Sequence, residues 1–151
     1  MQGRRKAREV AIQVLYSLNF VNLDVEKAFE LFWGNFVAPK SAKEFAATLV
    51  SGTWHHREEL DRLIAGCSDN WSLNRMSKVD ISILRMAVFE FLYCDDIPPK
   101  VSINEAVDLG KIFGSENSGS FINGILDALN LKLNKNNADK SVHPSARPTK
   151  A

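Results

Sequence analysis

Cysteine is nearly absent. Cys67 and Cys94 are the only two in 151 residues, and they form no Cys-x-x-Cys or metal-ligating pattern. Neither a disulfide framework nor a zinc site organises the chain, and reduced thiols are expected. Long apolar runs are missing too: no stretch approaches 18 consecutive apolar residues, which excludes a membrane-spanning helix. The charged start leads into helically spaced apolar residues with no small-residue cleavage site, so no signal peptide is expected and the expected location is the cytoplasm. The sequon Asn70-Trp71-Ser72 then carries no glycan. Reactive constellations are equally scarce. His55 and His56 are adjacent, so on a helix they point in different directions and cannot share a metal. No His-x-x-Glu-His and no Gly-x-Ser-x-Gly occurs. The polar loop Gly114–Ser120 lacks the Gly-Lys-Ser/Thr ending and follows no strand, so nucleotide hydrolysis is unsupported. Glu58, Glu59 and Asp61 read as a solvated helix face. No catalysis, cofactor or metal is expected.

Net charge is also small, +1 against 25% charged residues, but its distribution is uneven. Residues 1–10 hold Arg4, Arg5, Lys6 and Arg8 against Glu9, a local charge of +3. Residues 135–151 hold Lys135, Lys140, Arg147 and Lys150 against Asp139, again +3, and the stretch 11–134 between them carries −5. Such basic segments are either solvated termini or arms that touch phosphates.

The 45% hydrophobic residues are ordered with helical spacing. Ala7, Val10, Ala11, Val14, Leu15 and Leu18 form one stripe at i, i+3, i+4, i+7, with Arg5, Arg8, Ile12 and Tyr16 beside it. The basic residues thus start an anchored helix. Asp24 can cap a second helix that ends near Gly34. A third opens at Pro39 and Ser41, where Ser41 and Glu44 have capping-box spacing, and its stripe runs to about Ala65. After a turn at 72–76, residues 80–93 are apolar all round, which predicts a central buried helix. Pro98 and Pro99 break it. Ser102 and Glu105 repeat the capping-box pattern before a helix ending at Gly114, and a last helix carries Ile122, Ile125, Leu126, Leu129 and Leu133. Apolar periodicity is lost from about Asn134. The chain therefore reads as all-α, with about seven helices in one domain over 1–134 and a disordered basic tail over 135–151. Most aromatics, Phe29, Phe32, Trp33, Phe45, Phe89, Phe91 and Tyr93 among them, sit on core stripes. Tyr16 and Phe121 lie at stripe edges, where an aromatic is either half-buried core or a platform for an unpaired base.

Several ordered motifs resemble the NusB family of bacterial transcription antitermination factors. They are Arg4-Arg5-Lys6-Ala7-Arg8-Glu9 with Gln13-Val14-Leu15-Tyr16, Val79-Asp80-Ile81-Ser82-Ile83-Leu84-Arg85-Met86-Ala87, and Ile97-Pro98-Pro99-Lys100-Val101-Ser102-Ile103-Asn104-Glu105-Ala106-Val107. The last continues through Lys111, Phe113-Gly114, Glu116 and Phe121-Ile122-Asn123-Gly124-Ile125-Leu126-Asp127. The resemblance spans about residues 4–133, densely in 79–127 and thinly in 20–75. It implies two small helical bundles sharing a long central helix, without catalysis.

By the same resemblance the chain binds boxA-type single-stranded RNA together with NusE, the small-subunit ribosomal protein that doubles as an elongation factor. NusA, NusG and RNA polymerase complete the assembly, which suppresses termination and aids ribosomal RNA synthesis. The RNA-binding residues implied are Arg4, Arg5, Lys6, Arg8, Tyr16, Lys111, Phe113 and Phe121, and Asp80 is implied to meet NusE. Two positions depart from the family pattern: Asn117 replaces a frequent acidic residue, and Gly110 replaces a common alanine, which should weaken its helix by up to about 1 kcal/mol. An alternative reading is a protein-binding adaptor or homodimer in which RNA contact is secondary.

Overall fold

The computed structural model describes residues 3–34, 38–68 and 73–139. Among these it contains seven α-helices and one 3-10 turn, Leu73–Arg75. The helices are α1 Arg4–Leu18, α2 Val25–Trp33, α3 Lys40–His55, α4 Arg57–Ala65, α5 Lys78–Tyr93, α6 Pro99–Phe113 and α7 Ser118–Asp139. Helix α1 packs chiefly on α3 with α2 closing the group, α6 packs chiefly on α7, and α5 touches α1, α3, α4, α6 and α7. The apolar 80–93 segment is thus the shared strut. Ile83, Leu84 and Val88 of α5 are wholly buried, and burying each such side chain stabilises the fold by about 1.5–3 kcal/mol.

Local signals place most helix ends. Asp24 accepts a hydrogen bond from the Lys27 amide at 3.3 Å, Ser77 accepts one from the Asp80 amide at 3.0 Å, and Gly34, Gly66 and Gly114 stand at C-caps. The two capping-box expectations do not hold. Helix α3 starts at Lys40 behind Pro39, without a side-chain cap. Helix α6 starts at Pro99, because proline is tolerated in the first turn, and Ser102 is drawn inward to hydrogen-bond Glu90 instead. The expected long third helix is divided at His56, whose Nδ1 donates to the Gly52 carbonyl at 2.8 Å while its ring packs 4.6 Å from that of Tyr93. The contact with Tyr93 is too distant along the chain to be read from the stripe. Helix α7 runs on through Asp139, past the expected start of the tail. The remainder of that tail and the sequon Asn70-Trp71-Ser72 lie outside the described residues.

Side-chain placement brings further corrections. Arg8 and Ile12, expected beside the α1 stripe, are buried, and Phe32, expected in the core, is exposed. The expected solvated face of α4 is engaged in part. Arg85 holds Asp61 through two hydrogen bonds of 2.7 and 2.9 Å, and Glu59 accepts from the Tyr93 hydroxyl at 2.8 Å. Gly110 has a packing reason: a Cβ there would stand 2.8 Å from Ile122 Cδ1, so the missing side chain lets α6 and α7 approach.

Candidate nucleic-acid interface

The basic first turns of α1 do not stand free. Arg8 is 3% exposed and lies against Glu90, 2% exposed, on the central helix. Its Nε and Nη2 donate to the two Glu90 oxygens, each at 2.9 Å. The Ser102 hydroxyl donates to Glu90 Oε1 at 2.6 Å. This is the bidentate fork that suits arginine to a buried carboxylate. Desolvation alone would lower the guanidinium pKa; the hydrogen bonds and charge of Glu90 outweigh it, and the net shift is upward. Arg8 therefore belongs to the interior, and its expected place on an RNA face is corrected.

The other three cations are at the surface but paired. Arg4 reaches Asp96 at 3.2 Å and stacks 4.3 Å from the Phe45 ring centroid. Lys6 faces Glu9 at 3.3 Å. Arg5 Nη2 donates to Asp108 at 2.7 Å and to Glu105 at 3.0 Å, both on α6. The hydrogen bond that Arg5 donates to Asp108 is the foremost reason that the Arg5 pKa is raised. Glu90, Glu105, Asp108 and Asp96 were not picked out as site residues by sequence reasoning. A carboxylate inside the otherwise apolar run 86–93 was the available signal for Glu90, because such a group needs a cation. The i, i+3 spacing of Glu105 and Asp108, which puts both on one face of α6, was the signal for the pair on Arg5.

The expected aromatic and partner positions gather around the start of α5. Tyr16, 39% exposed, lines an apolar groove of about 580 Å³ with Phe20, Phe32, Val79 and Phe113. Phe20 meets the Tyr16 ring edge-on, with centroids 5.1 Å apart. A second hollow, of about 240 Å³, is lined by Arg75, Ser77, Asp80, Ser115, Asn117 and Phe121. Val79 borders the first and its neighbour Asp80 the second, so the two adjoin across one helix end. Asp80 sits in the first turn of α5, where the helix dipole favours a negative charge. Its Oδ1 is shielded from solvent and makes no hydrogen bond within the chain. Lys111 is exposed on α6, and its stem passes over Gly119 of α7. Tyr16, Phe113, Phe121 and Asp80 are thus brought together, whereas Arg4, Arg5 and Lys6 are tied up along α1.

This arrangement offers stacking faces, amide and carboxylate groups and a lysine, but no poised nucleophile. Burial, helped by Glu90 and Asp96, pushes the Cys94 thiol up to about 12. Iodoacetamide at pH 8 should alkylate Cys94 at least about tenfold more slowly in the folded protein than after unfolding in guanidinium, because the thiolate is the reactive form; equal rates would contradict its shielded placement. Among the described residues no group of His, Cys, Asp and Glu could hold a metal ion, and no helix is long and apolar enough to cross a membrane.

The sequence pattern of the NusB family matches residues 5–130. The chain belongs to the NusB family. The transcription antitermination protein NusB of Syntrophus aciditrophicus is 59% identical over 144 residues, covering 95% of this chain and 89% of the relative. The NusB of Myxococcus xanthus is 47% identical over 140 residues, covering 89% and 99%. Among solved structures, NusB of T. maritima superposes with a TM-score of 0.78 at 38% identity, covering 83% of this chain and 89% of that one. A crystal structure of the antitermination factors NusB and NusE in complex with dsRNA superposes with a TM-score of 0.76 at 30% identity, covering 85% and 96%. The all-helical fold and its central strut are thus those of NusB-family proteins.

Proposed function

We propose that this chain is a cytoplasmic transcription antitermination factor that binds boxA-type single-stranded RNA together with NusE. In this role it supports ribosomal RNA transcription by RNA polymerase in an assembly with NusA and NusG. The observation that carries the reading is the strip at the start of α5, where Tyr16, Phe113 and Phe121 lie beside Asp80 in a chain whose relatives are antitermination proteins. Sequence-specific RNA readers take single strands, stacking unpaired bases on aromatics while cations hold phosphates. Tyr16, Phe113 and Phe121 supply the stacking faces. Lys111 supplies a phosphate contact directly, Arg4, Arg5 and Lys6 supply theirs on release from their carboxylates, and Asp80 meets NusE.

Anisotropy of a short fluorescent boxA-type RNA, with and without NusE across a salt series, tests this. Binding should tighten with NusE and weaken steeply with salt. Tyr16→Ala should weaken it by about 1–3 kcal/mol at every salt concentration, and Lys111→Ala should flatten the salt slope by up to about 0.7. Asp80→Lys should abolish the gain from NusE while leaving binding of RNA alone in place. Binding that is indifferent to NusE and to Tyr16 would sink the reading.

A second reading, a protein-binding adaptor or homodimer with RNA secondary, draws on the exposed apolar Phe20, Val21 and Phe32, which line one groove. Contiguous patches of this kind mark interaction surfaces. Dimerisation that survives Tyr16→Ala but is lost with Phe32→Asp, alongside negligible RNA binding, would favour it.

A further inference from the structure

The sequence presents residues 1–10 as a basic arm, but the fold neutralises it. Arg4, Arg5, Lys6 and Arg8 stand against Glu9, Glu90, Asp96, Glu105 and Asp108, so the charges in mutual contact come to −1 rather than +3. One of these pairings is accessible from solvent and overdetermined. Arg5 is 53% exposed along its side chain, Asp108 40% and Glu105 20%. Both carboxylates converge on the single nitrogen Nη2, at 2.7 and 3.0 Å. One acidic partner suffices to pair an arginine; two leave the triad with a net negative charge. A phosphate approaching Arg5 therefore meets a local −1 at contact distance, well inside the screening length of about 8 Å at physiological salt.

We propose that Asp108, supported by Glu105, limits the RNA affinity of this chain by occupying Arg5 in place of an RNA phosphate. The inference rests on the RNA-binding reading above. RNA gains Arg5 only at the expense of the α6 carboxylates. An arginine held by carboxylates neutralises no phosphate and so releases no counterion from the RNA, which leaves it adding little to the salt dependence of binding. Removing Asp108 returns the guanidinium to the phosphates. A protein built this way binds RNA weakly alone and draws on the charges and contacts of a partner for tight binding, as its near-neutral net charge suggests.

The test is anisotropy of a short fluorescent boxA-type RNA at low and moderate salt, with NusE present, on the full chain and five variants. Asp108→Asn keeps the shape of the side chain and removes its charge. It should tighten binding by about two- to fivefold at low salt, the range of an exposed ion pair, and steepen the salt slope by up to about 0.7. Glu105→Gln should act in the same direction. In an Arg5→Ala background the Asp108→Asn gain should vanish, because the two residues act through one contact. Glu58→Gln, at an exposed position in the first turn of α4, removes a charge elsewhere and should leave affinity unchanged. Three results would overturn the proposal: unchanged affinity in Asp108→Asn, weaker binding (which would make Asp108 a group that orients Arg5 for RNA), or a gain that persists without Arg5. Failure of the unaltered chain to bind the RNA at all would instead overturn the RNA-binding reading, and the proposal with it.

Discussion

Arg8→Ala lowers the free energy of unfolding by about 3–5 kcal/mol, the cost of stranding one partner of a buried ion pair. The Glu90 carboxylate, 2% exposed, would keep only the Ser102 hydroxyl, with a void where the guanidinium lay. For a domain of this size the midpoint of thermal unfolding should fall by ~10 °C or more. Arg5→Ala, which removes an exposed side chain from partly exposed partners, should cost no more than about 1 kcal/mol. Circular dichroism melts and urea titrations of the two variants provide the comparison. The asymmetry between breaking and replacing a buried pair gives a sharper check. The triple change Arg8→Met, Glu90→Met, Ser102→Ala removes the buried polar groups, leaving only the partly exposed Glu105 that lies 3.8 Å from Arg8, and should recover most of the loss. If Arg8→Ala proved as mild as Arg5→Ala, the buried placement would be refuted and Arg8 would return to the candidate RNA face.

Gly52→Ala is the second large effect. A Cβ at this position would overlap the Phe89 ring, approaching several of its atoms far inside contact distance. Phe89 is 4% exposed on α5 and stacks on Tyr93 with ring centroids 5.1 Å apart, so it has little room to yield. Helices α3 and α5 must separate or the ring must leave its rotamer, a cost of about 1–3 kcal/mol. That outweighs the stabilisation of up to about 1 kcal/mol that alanine brings over glycine inside a helix, so the sign of the change is destabilising. Phe89→Leu should cost stability by itself yet cost less in the Gly52→Ala background, a coupling that a double-mutant cycle measures. Gly52→Ala alone raising the melting temperature would show that the crossing is looser than described.

Helix positions were legible because their causes are local. The stripe of Ala7, Val10, Ala11, Val14, Leu15 and Leu18, the glycines at 34, 66 and 114, and the prolines at 98 and 99 act within a few residues of themselves, and α1, α2 and α5 emerge close to expectation. The misreadings have a common form. Ser102 matched a capping box but bonds Glu90, and the α3–α4 stripe was continuous but the chain turns where His56 meets Tyr93. Each time a distant partner outcompeted a local preference. The aromatic part of the candidate site was legible from the stripe edges at Tyr16 and Phe121. The apolar groove beside it was not, because Phe32 fell on a stripe that α2 leaves uncovered.

The basic start of the chain divides what sequence and fold each decide. By themselves the residues determined an all-helical chain, a helix beginning Arg4-Arg5-Lys6-Ala7-Arg8, and membership of the NusB family. Only the tertiary structure decided which of those charges face solvent and which are already paired. Helix periodicity acts over three or four residues, whereas Arg8 meets Glu90 at a separation of 82 residues and Arg5 meets Asp108 at 103. Coulomb attraction and desolvation depend on distance in space and not along the chain. A +3 segment in sequence has therefore become, once folded, one buried arginine, two surface arginines held by carboxylates, and a lysine paired on its own helix.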